Sequence, residues 1–171
     1  MKLTSPILTL VSVCLLWLAF VLGCASSGNL GRPDTNANVD RLAPLTQEQK
    51  ADVLSVLKGT DEVDAIYDRR AKKGDSLALY AGKYEQVHEK FEPIYSSLPK
   101  NDARMMLYNM MEAYQNVGSV WLGNVQGKTK ESPDATMVAA RLRKTLLKKI
   151  LDGSLKPEEI KILEMLRQQD K

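Results

Sequence analysis

Cysteine and histidine are almost absent from this chain of 171 residues, which has two cysteines and one histidine. Both cysteines, Cys14 and Cys24, lie near the start of the chain, so the remainder cannot build a zinc site from Cys and His ligands. The haem-attachment pattern C-x-x-C-H is missing as well. The composition therefore predicts no metal site and no cofactor.

An excess of charge of one sign is also lacking. The chain has 24 basic and 21 acidic side chains, a formal net charge of +3, and Lys2 is the one charged residue among the first 24. A nucleic-acid-binding domain normally carries a clear basic excess. We therefore expect no nucleic-acid partner.

Catalytic motifs are missing too. His88 is the single imidazole and has no cysteine nearby in the sequence, which favours a packed or surface histidine over a catalyst. No serine has the G-x-S-x-G setting of a nucleophile. The carboxylates Glu85, Glu89 and Glu92 have lysine neighbours and are typical of a solvated helix surface. We expect no catalytic residue and no enzymatic activity.

A single long hydrophobic run is present, at the start of the chain. It follows Lys2, covers residues 7–22 and is shorter than the about 20 residues of a membrane-spanning helix. Gly23 and Cys24 follow, then small and polar residues, with no positive charge before Arg32. This order predicts a secretory signal peptide.

The residues Val-Leu-Gly-Cys at 21–24 resemble the lipobox of bacterial lipoproteins, with Val and Leu in the first two positions where that family usually has Leu and Ala or Ser. The resemblance implies a signal peptide over 1–23 and lipid, including a palmitate-type acyl chain, on Cys24. Two or three acyl chains form a stable membrane anchor. By similarity to Gram-negative lipoproteins, Ala25 implies an outer-membrane location, with the domain facing the periplasm.

The rest of the chain divides into a tether and a helical domain. Residues 24–45 are rich in Gly, Ser, Asn and Pro and have no apolar period, which predicts a flexible tether. Residues 46–171 carry apolar residues at helical spacing. We predict an all-α domain of five or six helices, packed as a bundle or a short helical array.

Local signals predict the first helices. Thr46 and Gln49 form a capping box, and Gly59 predicts the end of the first helix, with Asp61 capping a second. Next comes an a/d seam, in which Pro93 predicts a kink or a break. The seam consists of Leu77, Tyr80, Tyr84, Val87, Phe91, Ile94 and Leu98.

A third apolar segment, capped by Asn101 or Asp102, is apolar on two sides and is predicted to be central. One side is Ala103, Met106, Met110, Ala113, Val117 and Val120; the other is Leu107, Met111, Tyr114, Trp121 and Val125. Its methionines favour core packing over an adaptable binding surface.

Residues 135–169 predict a C-terminal helical hairpin that starts after Ser132 and Pro133. The first helix is predicted to bury Val138, Leu142, Leu146 and Ile150. Its basic residues predict a solvated face, with contact to anionic lipid headgroups as the alternative. These basic residues are Arg141, Lys144 and Lys148.

Two further resemblances concern assembly. Asp-Gly-Ser-Leu at 152–155 and Glu-Glu-Ile at 158–160 are similar to SHOCT motifs, which implies an assembly role. Gly82, Tyr84, Phe91 and Pro99 resemble the second helix of a tetratricopeptide unit, although the flanking half-repeats do not match.

These observations give a functional hypothesis: a lipid-anchored bacterial envelope protein that binds or scaffolds a protein partner, which we favour over a small molecule. The candidate partner contacts, if exposed, are Tyr80, Tyr84, Met106, Met110, Tyr114 and Trp121. One alternative is a periplasmic carrier that holds a small apolar ligand between its helices. Another is an envelope enzyme with carboxylate chemistry.

Overall fold

The computed structural model describes residues 44–73 and 76–169. This part of the chain consists of five α-helices and contains no strand, so the predicted all-α fold is confirmed. The helices are α1 (Gln47–Lys73), α2 (Leu77–Ser97), α3 (Asp102–Val125), α4 (Pro133–Asp152) and α5 (Pro157–Gln169). The predicted signal peptide, Cys24 and nearly all of the predicted tether lie outside the described residues.

Helix α1 begins with the predicted capping box. The backbone N–H of Gln49 donates to Thr46 Oγ1 at 3.1 Å. In return, the backbone N–H of Thr46 donates to Gln49 Oε1 at 3.0 Å. This reciprocal pair satisfies backbone donors that have no partner inside the helix.

Helix α1 continues through Gly59, so the prediction of two helices in this segment was wrong. The glycine is required by packing rather than by a turn. A Cβ atom on Gly59 would lie 2.7 Å from Val87 Cγ2 of α2, whereas the described glycines with positive φ are Gly127 and Gly153. The missing side chain lets α1 and α2 approach closely.

Helix α2 buries the predicted seam and contains Pro93 without being broken there. Ile94 is half-buried, and Tyr95 is buried instead. The other six seam residues are buried. Phe91 and Tyr95 both pack into the core, which holds the helix on each side of the proline.

Helix α3 is the central helix, as predicted, with Asn101 Oδ1 accepting from the backbone N–H of Arg104 at 3.0 Å. Most of both predicted apolar sides are buried, while Val120 and Trp121 are half-buried and Val125 is exposed. Gly118 packs against Tyr80, where an added Cβ would lie 3.4 Å from the ring.

The predicted inner face of α4 was wrong. Val138 and Leu142 are exposed and Ile150 is half-buried, while Leu146 is buried. The buried seam is Met137, Ala140, Lys144, Leu147 and Leu151. A lysine occupies the middle of this seam, so an apolar periodicity search does not find it. Ser132 caps the helix, as predicted, and Gly153 ends it at φ 66°.

Successive helices pack in sequence order, α1 on α2, α2 on α3 and α3 on α4. Ion pairs then join α4 back to α1, with Asp61 near Lys148 and Asp68 bonded to Arg141. This return closes a bundle of four antiparallel neighbours, whereas an open array would carry α4 away from α1. Among the described helices, none is long and apolar enough to cross a membrane.

Helix α5 joins the bundle through its own ion pairs. Glu159 pairs with Lys149 of α4, and Arg167 pairs with Asp102 at the start of α3. Leu163 is its buried apolar residue. The segment for which a C-terminal hairpin was predicted contains two helices, α4 and α5.

Candidate functional site

The candidate partner contacts lie mainly inside the domain. Five of the six are buried, namely Tyr80, Tyr84, Met106, Met110 and Tyr114. Trp121 is half-buried. Its ring lies 5.7 Å from the rings of both Tyr67 and Tyr80, in edge-on contact. In this structure these side chains build the core and offer little surface to a partner.

The buried tyrosines have specific hydroxyl partners. Tyr80 donates to the carbonyl oxygen of Tyr114 at 2.8 Å, and Tyr84 donates to that of Met111 at 3.3 Å. Tyr114 donates to Asp64 Oδ1 at 2.9 Å. Burying a hydroxyl group without a hydrogen-bond partner is costly. These three bonds therefore allow the tyrosine side chains to be buried where α3 packs against its neighbours.

Asp64 of α1 is the centre of a charged network inside the bundle. Besides the Tyr114 hydroxyl, its Oδ1 accepts from Arg141 Nε at 3.1 Å. Its Oδ2 accepts from Lys144 Nζ at 2.6 Å. Three helices therefore meet at one carboxylate, whose side chain is 17% exposed.

Lys144 is the most buried charge in this network, with a side-chain exposure of 7%. Its Nζ lies 2.6 Å from Asp64 Oδ2 and 2.5 Å from Asp61 Oδ1. A buried ammonium group persists only when it is paired and hydrogen-bonded, and two carboxylates satisfy that requirement.

The basic residues of α4 therefore face α1, and the prediction that they form a plain solvated face was wrong. Asp61, Asp64 and Asp68 of α1 have the same spacing of three and four residues as Arg141, Lys144 and Lys148 of α4. The helices run antiparallel, so the rows meet in reverse order, with gaps of three then four residues on α1 against four then three on α4. The contacts are Lys148–Asp61 at 3.8 Å, Lys144–Asp64 at 2.6 Å and Arg141–Asp68 at 2.8 Å.

A second polar contact between α1 and α4 lies at Asp134. Its Oδ1 accepts from the Tyr67 hydroxyl at 2.9 Å and also from Arg70, whose guanidinium stacks on the Tyr67 ring. The hydrogen bond from Tyr67 and the charge of Arg70 lower the pKa of Asp134. Burial, followed by the bond to Asp134, raises the pKa of Tyr67.

Burial also raises the pKa of Tyr80 and Tyr114 well above the usual value. Because folded tyrosine pKa values are raised, their contribution to stability is complete below about pH 10, the unfolded pKa, and is lost as pH rises toward the folded values. With Tyr67, three phenols contribute. We expect the free energy of unfolding to fall above about pH 10 by up to about 4 kcal/mol per pH unit.

This alkaline unfolding is measured by circular dichroism, with absorbance at 295 nm reporting tyrosinate. The two signals should change together, and Tyr67→Phe should reduce the pH dependence by about one proton. Tyrosinate formation that is complete before any loss of helix would contradict the assignment of these buried phenols.

His88, the single imidazole, is half-buried between aromatic rings. Its ring centroid lies 5.7 Å from that of Tyr84 and 5.5 Å from that of Phe91. Its Nδ1 lies 3.8 Å from Glu92 Oε1. Nearby, Lys83 pairs with Glu62 of α1 at 2.5 Å, rather than with the acidic residues of its own helix.

The network connects side chains of α1, α3 and α4. Each of its carboxylates is paired with a cation, and the described residues contain no group of three or more His, Cys, Asp or Glu side chains that could hold a metal ion. The basic row on α4 was predicted from the sequence, whereas the acidic row on α1 was not. The signal was the opposite charge and similar helical spacing of the two rows, which makes them compatible partners once the helices are known to be antiparallel.

Comparison of the chain with protein-family models, with curated proteins and with solved structures finds no significant match.

Proposed function

We propose that the chain is a lipid-anchored protein of a bacterial cell envelope, held at the outer membrane by Cys24, and that its helical domain binds or scaffolds a protein partner. The observation that carries the proposal is the Val-Leu-Gly-Cys motif at 21–24, which follows an apolar run of signal-peptide length. Two or more acyl chains on one cysteine bind a membrane stably.

The structure of the domain supports a binding or scaffolding role over catalysis. The Asp64 carboxylate is occupied by three donors from its own chain, and its neighbours Asp61 and Asp68 are paired with cations. The charged chemistry of the domain is thus used to position helices. Its exposed apolar side chains, rather than the buried aromatic ones, are the available contacts for a partner. They include Leu54, Leu79, Val138, Leu142, Ile160 and Met165.

The anchor is tested by replacing Cys24 with serine in cells that express the full chain. We expect the Cys24→Ser protein to leave the outer-membrane fraction, because serine cannot carry the thioether-linked lipid. Cys14→Ser is the matched control, since Cys14 lies within the apolar run and is removed with the signal peptide in this proposal. Membrane fractionation and mass spectrometry of the N-terminus provide the measurements.

A Cys24→Ser protein that still sediments with outer membrane, or an unmodified N-terminus in the wild type, would contradict the anchor. The partner is tested separately, by cross-linking in intact envelopes followed by affinity purification. Recovery of a defined protein partner supports scaffolding. An apolar small molecule that co-purifies with the domain, without a protein partner, would instead support the carrier.

A further inference from the structure

The bundle has four edges, each being the contact between two neighbouring helices, and these edges are of two kinds. At the α1–α2, α2–α3 and α3–α4 edges the helix backbones approach closely, whereas α1 and α4 make no comparable approach. The α1–α4 edge is spanned by long polar side chains instead. Lys144, Arg141 and the Tyr67 hydroxyl reach across it to carboxylates.

The energetics of this edge differ from those of the other three. Burying apolar side chains is favourable, so separating two apolar faces is costly. A buried ion pair has a net contribution near zero, because desolvation offsets the Coulomb attraction. Separating α4 from α1 would return Lys144 and Asp64 to water, which regains their hydration free energy.

We propose that the α1–α4 edge is a built-in opening of the bundle, at which α4 separates from α1 while the α1–α2, α2–α3 and α3–α4 contacts persist. Lys144 is the residue that permits this opening. It places a charge at a buried seam position, where an apolar residue would stabilise the contact between α1 and α4. The opening is independent of the lipid anchor and of any partner.

When α1 and α4 are in contact, the following charged groups on the two sides of the edge are held in ion pairs. On α1 they are Asp61, Asp64, Asp68 and Arg70; on α4 they are Asp134, Arg141, Lys144 and Lys148. The Tyr114 hydroxyl of α3 lies beneath them, bonded to Asp64. When Lys144 alone is replaced, Asp64 keeps two donors, Arg141 and Tyr114. The change therefore does not leave a buried carboxylate without a hydrogen-bond partner.

Hydrogen–deuterium exchange of the full chain, read by mass spectrometry, tests the proposal. Helices of this length depend on packing for stability, so α4 opens locally more often once it has lost its contacts with α1 and is held by α3 alone. In the wild type we expect amides of 134–148 to exchange at least about tenfold faster than those of 80–95 and 106–118. In Lys144→Met, exchange of 134–148 should slow at least about tenfold, because an apolar side chain of similar length is buried at this edge while Arg141 still pairs with Asp64.

Lys148→Met is the matched control. Lys148 lies at the rim, 47% exposed and 3.8 Å from Asp61, so its replacement should leave the exchange of 134–148 within about twofold of the wild type. Equal exchange rates for α2, α3 and α4 in the wild type would overturn the proposal, even if Lys144→Met failed to fold. A folded Lys144→Met protein with faster exchange in 134–148 would overturn it as well.

Discussion

Replacing Asp64 with alanine is expected to lower the free energy of unfolding by about 3–5 kcal/mol. The Asp64 carboxylate accepts from Tyr114, Arg141 and Lys144, which come from two different helices. Its removal leaves the Tyr114 hydroxyl without its acceptor and deprives the buried ammonium of Lys144 of a partner. Such a loss is much larger than the net contribution of the intact ion pair, since the remaining groups stay desolvated.

Asp61→Ala is the matched control for this prediction. Asp61 also pairs with Lys144, at 2.5 Å, but its side chain is 56% exposed, and Lys144 keeps Asp64 when Asp61 is removed. We expect a loss of no more than about 1 kcal/mol, as for other exposed ion pairs. Urea unfolding of the full chain, followed by circular dichroism at 222 nm, measures both variants. Equal losses for Asp61→Ala and Asp64→Ala would contradict the central role of Asp64.

Local signals in the sequence predicted the helix starts well. Thr46, Asn101 and Ser132 each cap a helix through a bond between neighbours in sequence, so no knowledge of the tertiary structure is needed. The a/d seam of α2 was also read correctly, because its apolar period is nearly unbroken and it packs as a simple stripe.

The α4 helix shows where a periodicity argument fails. Val138, Leu142, Leu146 and Ile150 give a regular apolar row, yet the helix is rotated so that Lys144 is buried. In this orientation Lys144 meets Asp64 of α1, 80 residues away in the sequence. A charge pattern on one helix has no meaning until its partner helix is known. For this reason the network around Asp64 could not be found from α4 alone.

The position of Gly59 was misread for a related reason. In sequence, a glycine after an apolar stretch and before an aspartate is typical of a helix end followed by a new cap. In the structure, Gly59 is the point where α1 contacts Val87 of α2, and Asp61 is a partner of Lys144. Both roles depend on residues from distant parts of the chain. A prediction from the local sequence does not include those residues.

The contact between Gly59 and Val87 leads to the second large prediction: Gly59→Val should destabilise the domain by about 3 kcal/mol. A Cβ at residue 59 would lie 2.7 Å from Val87 Cγ2 and 3.4 Å from Val87 Cγ1. The side chain of Val87 is short and branched at Cβ, so rotation about χ1 cannot move both methyl groups away. The helices must therefore separate locally, and their apolar contacts weaken.

Gly82→Val is the matched control, because Gly82 also lies inside a helix and a Cβ there would meet nothing within 4 Å. We expect its effect to stay within about 0.5 kcal/mol, since helix propensity alone changes. A double-mutant cycle provides the decisive measurement. Val87→Ala should be destabilising in the wild type and close to neutral, or stabilising, in Gly59→Val, because the smaller side chain relieves the clash. If Val87→Ala costs the same in both backgrounds, close packing at residue 59 is not what requires the glycine.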